Sequence, residues 1–340
     1  MKKIFTLAAG VCSFCVSEAT IRTVSNNSNS PGQYTTLQAA INVANAGDTI
    51  YVHGSNTSYG NITVNKRLTI IGTGHNPNKS NPLVSQLGNV QLDSVANASG
   101  GSGSKIIGFK LTEVLGYAGA GGTKNITLAR NYFVSTGTKI NVTNSGWLIK
   151  NNILFGNIVV NNKSNIFIEN NIFSGGSVTT SNLSSLLITN NIFLGTSPAT
   201  CFTTLSNALI TNNIFLGVAP NGTNVTTNTF DNNITYQTIS NTLPFGTNVG
   251  SGNFSGQDPQ FMNVPANAFS YSYDFTLMAG SPGKNAGTDG TDIGAYGGPS
   301  PFVDLTGSPA IPQVKSLTIL NPMIPVGDSL HVVIKAKKQN

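Results

Sequence analysis

The chain has 340 residues, of which 9% are charged and 39% hydrophobic, with 37 Gly and 44 Asn. A charged fraction this far below the usual share of about 25% excludes an ion-pair-rich surface, and periodic apolar positions exclude a disordered chain. The net charge of +6 comes without clustered Arg or interleaved aromatic motifs, which argues against nucleic-acid binding.

Lys2 and Lys3 precede an apolar run from Ile4 to Val16 and a small-x-small site at Ser17-Glu18-Ala19. These are the parts of a signal peptide spanning 1–19. The run is too short for a membrane anchor, and no later segment reads as a membrane span. The expected destination is the periplasm, cell surface or medium of a bacterium. Cleavage removes Lys2, Lys3 and Glu18, taking the charge from +6 to +5. It also removes Cys12 and Cys15, so that Cys201 alone remains and no intramolecular disulfide is expected.

Residues 20–32 read as a polar Asn/Ser linker. Leu37, Ala40, Ile41 and Ala44 then share one face at helical spacing, which predicts a short amphipathic helix. Gly47-Asp48 predicts its end, and Thr49 to Val52 alternates as a strand. A second apolar run ends at Gly72, and Lys105 to Phe109 carries Gly108 in the corresponding place. Between them, 76–104 is rich in Asn, Ser and Gly and predicts a poorly ordered excursion.

From Ile126 to Thr235 one phrase recurs six times: an apolar strand, a paired Asn or its variant, then a second apolar pair. Aligned on Asn131, Asn152, Asn171, Asn191, Asn213 and Asn233, the steps are 21, 19, 20, 22 and 20 residues. A period near twenty with small variations means stacked coils with loops of variable length. The unit is too short for two helices, and its β-branched runs read as strands. Asn tolerates the left-handed backbone that sharp corners need, and stacked Asn amides can bond rung over rung. Scaffolding is the first reading of these Asn, ligand contact the second.

The pattern resembles the right-handed parallel β-helix of the pectate-lyase-like superfamily, whose coils carry an internal Asn ladder. The opening 34–74 looks like the entry of such domains, and the helix fits the cap that a solenoid end requires. Asp258-Pro259-Gln260-Phe261, Asp274-Phe275-Thr276-Leu277, Ser281-Pro282 and 290–298 resemble their ends. Gly283, Lys284 and Asn285 depart from the usual apolar residue and Asp after Ser-Pro. The expected organisation is thus an all-β parallel helix over 20–298, a Pro-rich linker at 299–312, and two strands in a short extension at 313–340. The extension either closes the open end of the helix or serves as a sorting tail.

Many relatives by this resemblance are polysaccharide lyases or hydrolases. Hydrolysis needs two carboxyl groups about 5–10 Å apart. Between Ser94 and Gln257 only Glu113, Glu169 and Asp231 are acidic. Glu169 and Asp231 share a repeat column three coils apart, about 14 Å at one rung per 4.8 Å. A lyase would need clustered oxygen ligands for Ca²⁺ and a Lys or Arg base. Lys150, beside Glu169 with Arg130 close by, is one candidate; Lys110 with Glu113, and Lys139, are others. A surface ion pair is the plainer reading of Lys150 and Glu169. The three His show no metal spacing, and no cofactor is expected outside the lyase alternative.

What remains is the outward face of the third strand of each coil. Asn141, Thr143, Asn157, Asn161, Ser177, Thr179, Thr203, Asn224 and Thr226 form a predicted stripe of amides and hydroxyls. Ile140, Ile158, Val178, Phe202 and Val225 are then expected to point inward, with Cys201 at the edge of the face. Such a stripe suits an extracellular polysaccharide or cell-surface glycan, or an ordered lattice, without catalysis. A lyase with a Lys or Arg base and a purely structural or adhesive module are the alternatives.

Overall fold

The computed structural model describes residues 19–28, 30–79, 82–93, 100–117, 119, 121–161, 163–180, 186–196, 199–302, 304–309, 313–321 and 323–337. The predicted signal peptide lies outside them but for Ala19. The strands stack into three parallel sheets: a ten-stranded first sheet, an eight-stranded second and a seven-stranded third. Consecutive strands of each sheet come from successive coils, so the architecture is a parallel β-helix, with one α-helix, Leu37–Val43, among the described residues.

Alternation builds the interior. In Ile166–Glu169, Ile166 and Ile168 are buried while Phe167 is exposed, as period-two side-chain placement requires. The same rule stacks Phe173, Phe193 and Phe215 in the second sheet, with ring centroids 4.4 and 5.2 Å apart. Ile140, Ile158, Val178 and Phe202 stack in the third. Cys201 sits fully buried in this core, not at the edge of the outer face.

The corner between the first and second sheets divides its two Asn between two tasks. The first residue takes the left-handed backbone: Arg130, Asn151, Asn170, Asn190, Asn212 and Asn232 have φ between 52° and 57°. The second turns inward. The Oδ1 of Asn152 accepts from both the backbone N and the Nδ2 of Asn131, at 2.9 and 3.1 Å, while Asn131 Nδ2 also reaches the carbonyl of Ile106. The arrangement repeats through Asn171, Asn191, Asn213 and Asn233 to Asn253. Gly108 takes the left-handed position one coil earlier, with φ 78°. Gly72 does not have positive φ; a Cβ there would lie 2.5 Å from the carbonyl oxygen of Gly108, so close approach demands the glycine.

Several expectations about the ends are corrected. The supposed linker at 20–32 contains Ile21–Val24, the first strand of the first sheet. The supposed excursion at 76–104 supplies a third-sheet strand, Asn89–Leu92, with Val90 and Leu92 buried. Closure by the C-terminal extension is not found. Gln313–Ile319 and Val332–Lys337 form a hairpin whose strands pair only with each other. At that end Leu243 and Phe245 pack on the core instead.

Residues 257–309 turn back along the outside of the second sheet. The antiparallel strands Phe261–Asn263 and Asp274–Leu277 make one pass. The stretch 283–308 then runs past successive coils toward the N-terminal end. Ile172, Ile192, Leu194, Ile214, Leu216 and Ile234, which point outward from the second sheet, form a second core with Phe261, Phe275, Leu277, Ile293 and Phe302. The supposed linker at 299–312 thus begins as packed chain, because Phe302 is buried there.

Candidate functional site

The return pass is held by the outward Asn of each corner. Asn232 Nδ2 donates to the carbonyl of Ala286, Asn212 exchanges two bonds with Thr288, and Asn151 Nδ2 donates to the carbonyl of Ser300. Arg130, standing where other coils have this Asn, donates to the carbonyl of Ser308 at 2.7 Å. The second sheet is therefore covered. Among the described residues the return pass does not cover the third sheet, whose outward side chains are partly exposed.

On that face Asn141, Thr179 and Thr203 lie in one column, with Leu115 and Val159 among them. The predicted uncharged stripe is thus interrupted by one aliphatic rung, Val159, and preceded by another, Leu115. Asn157 and Ser177 are neighbours at the start of their strands, and Ser177 N donates to Asn157 Oδ1 at 3.0 Å. Asn161 Nδ2 donates to Asn141 Oδ1 at 3.2 Å. Thr143 is buried beside Thr123. Asn224 and Thr226 do not join the column. Thr204 adopts φ 53°, which ends the third-sheet strand, and Val225–Thr226 pairs with Leu205–Ser206 in a separate two-stranded sheet. The sequence alignment of Val225 with Phe202 was therefore one short strand out of place.

The candidate catalytic groups are scattered. Lys150 Nζ lies 3.8 Å from Glu169 Oε1 and 3.1 Å from Ser300 Oγ, under the return pass. At 3.8 Å and with both side chains still partly in contact with solvent, this ion pair contributes about 1 kcal/mol or less. Arg130 is half-buried, and desolvation pulls its pKa below the usual value, with Asp304 opposing. Together with Asn151, Pro301, Phe302, Asp304 and Gly307 it lines a small recess. Lys110 lies on the outer face of the second sheet, one rung from Tyr132. Glu113 is on the third sheet and accepts from Asn89 Nδ2 at 2.5 Å. Lys139 is buried at a bulge in Thr138–Val142. Glu169 and Asp231 are separated in register by Thr189 and Thr211. Among the described residues no group of three or more His, Cys, Asp and Glu could hold a metal ion.

One cluster was not foreseen from the sequence. His75, Tyr132, Phe155, Phe269 and Tyr271 pack where the first pass meets the early coils, with ring centroids 5.1–6.4 Å apart. His75 is buried, its Nδ1 2.9 Å from the Tyr271 hydroxyl. Burial, and then the charge of Lys79, push its pKa down to about 3. Desolvation lowers Lys79 itself to about 8. The rings meet at mixed angles, as in an anchoring cluster and unlike a flat sugar platform. These residues are up to 196 positions apart, and no local pattern could have joined them.

No helix among the described residues is long and apolar enough to cross a membrane. No protein-family model matches the chain, and no curated protein matches it. Among solved structures, the crystal structure of pectate lyase Pel9A is similar at 14% identity, with a TM-score of 0.35, over 83% of this chain and 97% of that one. The parallel β-helix of this chain stands on its own strand pairing.

Proposed function

We propose that this is an exported β-helix protein that binds an extended polysaccharide along the open third-sheet face without cleaving it. The observation that carries the reading is the column of Asn141, Val159, Thr179 and Thr203, partly exposed on four successive rungs of a face that the return pass leaves free. Side chains repeating about every 4.8 Å match a repetitive ligand better than a compact one. Their hydroxyls and amides would donate and accept, and Leu115 and Val159 would meet the apolar face of a sugar ring. Ligation of Ca²⁺ plays no part in this reading.

The test is binding of the chain to a panel of immobilised polysaccharides that includes uronic-acid polymers, with and without Ca²⁺, while ultraviolet absorbance follows unsaturated product. Binding without product is expected. Replacing Asn141, Thr179 and Thr203 together by Ala should weaken it at least tenfold, since each lost hydrogen bond is worth about 1 kcal/mol. Unsaturated product would replace this reading by a lyase, with Lys150, Lys110, Lys139 and Arg130 the positions to substitute. Absence of binding across the panel would favour a structural or adhesive module.

A further inference from the structure

The C-terminal hairpin is more apolar on one face than on the other. Leu317 lies opposite Ile334, and Ile319 opposite Val332. The reverse face carries Ser316, Thr318, Val333 and Lys335. In the structure Leu317, Ile319 and Ile334 are 59%, 49% and 59% exposed. A two-stranded hairpin is marginal alone in water and needs a second layer over its apolar face.

The coils carry one matching surface. On the outside of the first sheet, Leu148, Phe167, Leu187 and Leu209 stand in register on four successive rungs. Phe167 and Leu209 are 39% and 43% exposed. The column is about 14 Å long at 4.8 Å per rung, and a strand of seven residues is about 23 Å long, enough to cover it. The other lateral faces do not match: the second sheet is covered, and the third is largely polar.

The tether decides between occupants. The return pass ends at Ser308, bonded to Arg130. Arg130 directly follows the strand Thr127–Ala129, whose Thr127 is the rung neighbour of Leu148. Four residues separate Ser308 from Gln313, a span of about 17 Å when extended. The hairpin is thus tied within reach of the column, at an effective concentration that a hairpin from a second copy would meet only in concentrated solution. A face-to-face pair of hairpins from two copies would bury far less than the roughly 1,200 Å² of a stable interface. We propose that the hairpin strands Gln313–Ile319 and Val332–Lys337 dock on the Leu148–Leu209 column of their own chain, as a movable cover over the first sheet.

The test uses the whole chain from Thr20 onward, without the predicted signal peptide and so without Cys12 and Cys15. Ile319→Cys is paired in turn with Phe167→Cys and with Leu187→Cys, and Thr318→Cys serves as the opposite-face control. Cys201 is buried, and burial pushes its thiol pKa well up, so it does not compete. Oxidation at low protein concentration should give an intramolecular disulfide for at least one Ile319 pair and at least fivefold less for Thr318. In a second measurement, the surface substitutions Phe167→Asp and Leu209→Asp together should speed protease cleavage within 313–337 at least threefold. Disulfides only between chains would transfer the site to a second copy and overturn the proposal. Equal crosslinking from both hairpin faces, or cleavage unchanged by the Asp pair, would overturn it as well.

Discussion

Asn170 faces away from the coil interior, with its side-chain nitrogen 2.7 Å from the carbonyl oxygen of Gly297, 127 residues later. The same nitrogen reaches the carbonyl of Ala295 at 3.0 Å, and the backbone φ is 52°. Asn170→Ala removes both bonds and places a residue with no local compensation in the left-handed region. A loss of about 2–3 kcal/mol is expected in denaturant unfolding. Asn170→Gly relieves the backbone while losing the same bonds, so it should be the milder by about 1 kcal/mol. Equal losses would mean that the backbone position carries no strain.

Asn171, the next residue, is the sharper test of the interior. Its Oδ1 accepts twice from Asn152, and its Nδ2 donates to Asn191 and to the carbonyl of Ile149. Asn171→Ala leaves several buried groups unpaired, each costing about 1–3 kcal/mol. The unfolding free energy should fall by at least 3 kcal/mol, and by more than for Asn253→Ala at the half-buried end of the same series. A smaller loss at 171 than at 253 would contradict the continuity of the amide chain.

Acid should loosen the region around His75. Its folded-state pKa is about 3, set first by desolvation and then by Lys79, against about 6.5 when unfolded. Between these values the unfolded chain binds a proton that the folded chain refuses. Stability is therefore full above about pH 6.5 and falls as pH drops toward 3, by about 1.4 kcal/mol per unit at most. Unfolding midpoints measured from pH 7 to pH 4 should show this slope, and His75→Gln should flatten it. A slope unchanged in the variant would assign the effect to other groups.

The buried thiol of Cys201 should be silent in the native state. Core packing raises its pKa well above the ordinary thiol value, and the thiolate is the reactive form. Modification by an aromatic disulfide reagent should proceed at the rate of unfolding and become immediate in denaturant. Rapid native-state labelling would place Cys201 nearer the surface than the fold does.

The sequence disclosed the coils because Asn131 to Asn233 recur with the period of the fold, and because alternation in strands such as Ile166–Glu169 marks the inward side. It disclosed less where the pattern thins. Gly252-Asn253-Phe254 lacks the paired Asn, so the last amide of the series was hidden. The coil at Asn89–Leu92 was masked by the Ser and Gly around it. The break after Thr203 depends on a single left-handed Thr204, a conformation that Thr does not advertise. The covering of the second sheet was invisible for a different reason. Ile192 and Leu194 look like ordinary strand residues whichever side they face, and their partners Phe275 and Ile293 lie some 80 to 100 positions later. Of the candidate site, Asn141, Thr179 and Thr203 were readable as a column; the anchoring of Lys150 and Arg130 by Ser300 and Ser308 was not.

The return pass also imposes an order of assembly. Coils contact their neighbours and can be added one at a time, as in other solenoids. The outward amides of Asn151, Asn170, Asn190, Asn212 and Asn232 form a rail only after five coils are in place, and Asn76 waits for the carbonyl of Leu305, 229 positions away. Contacts of such sequence separation form slowly. Laying the return pass onto that rail is therefore expected late in folding, and its bonds tie five successive coils to one another.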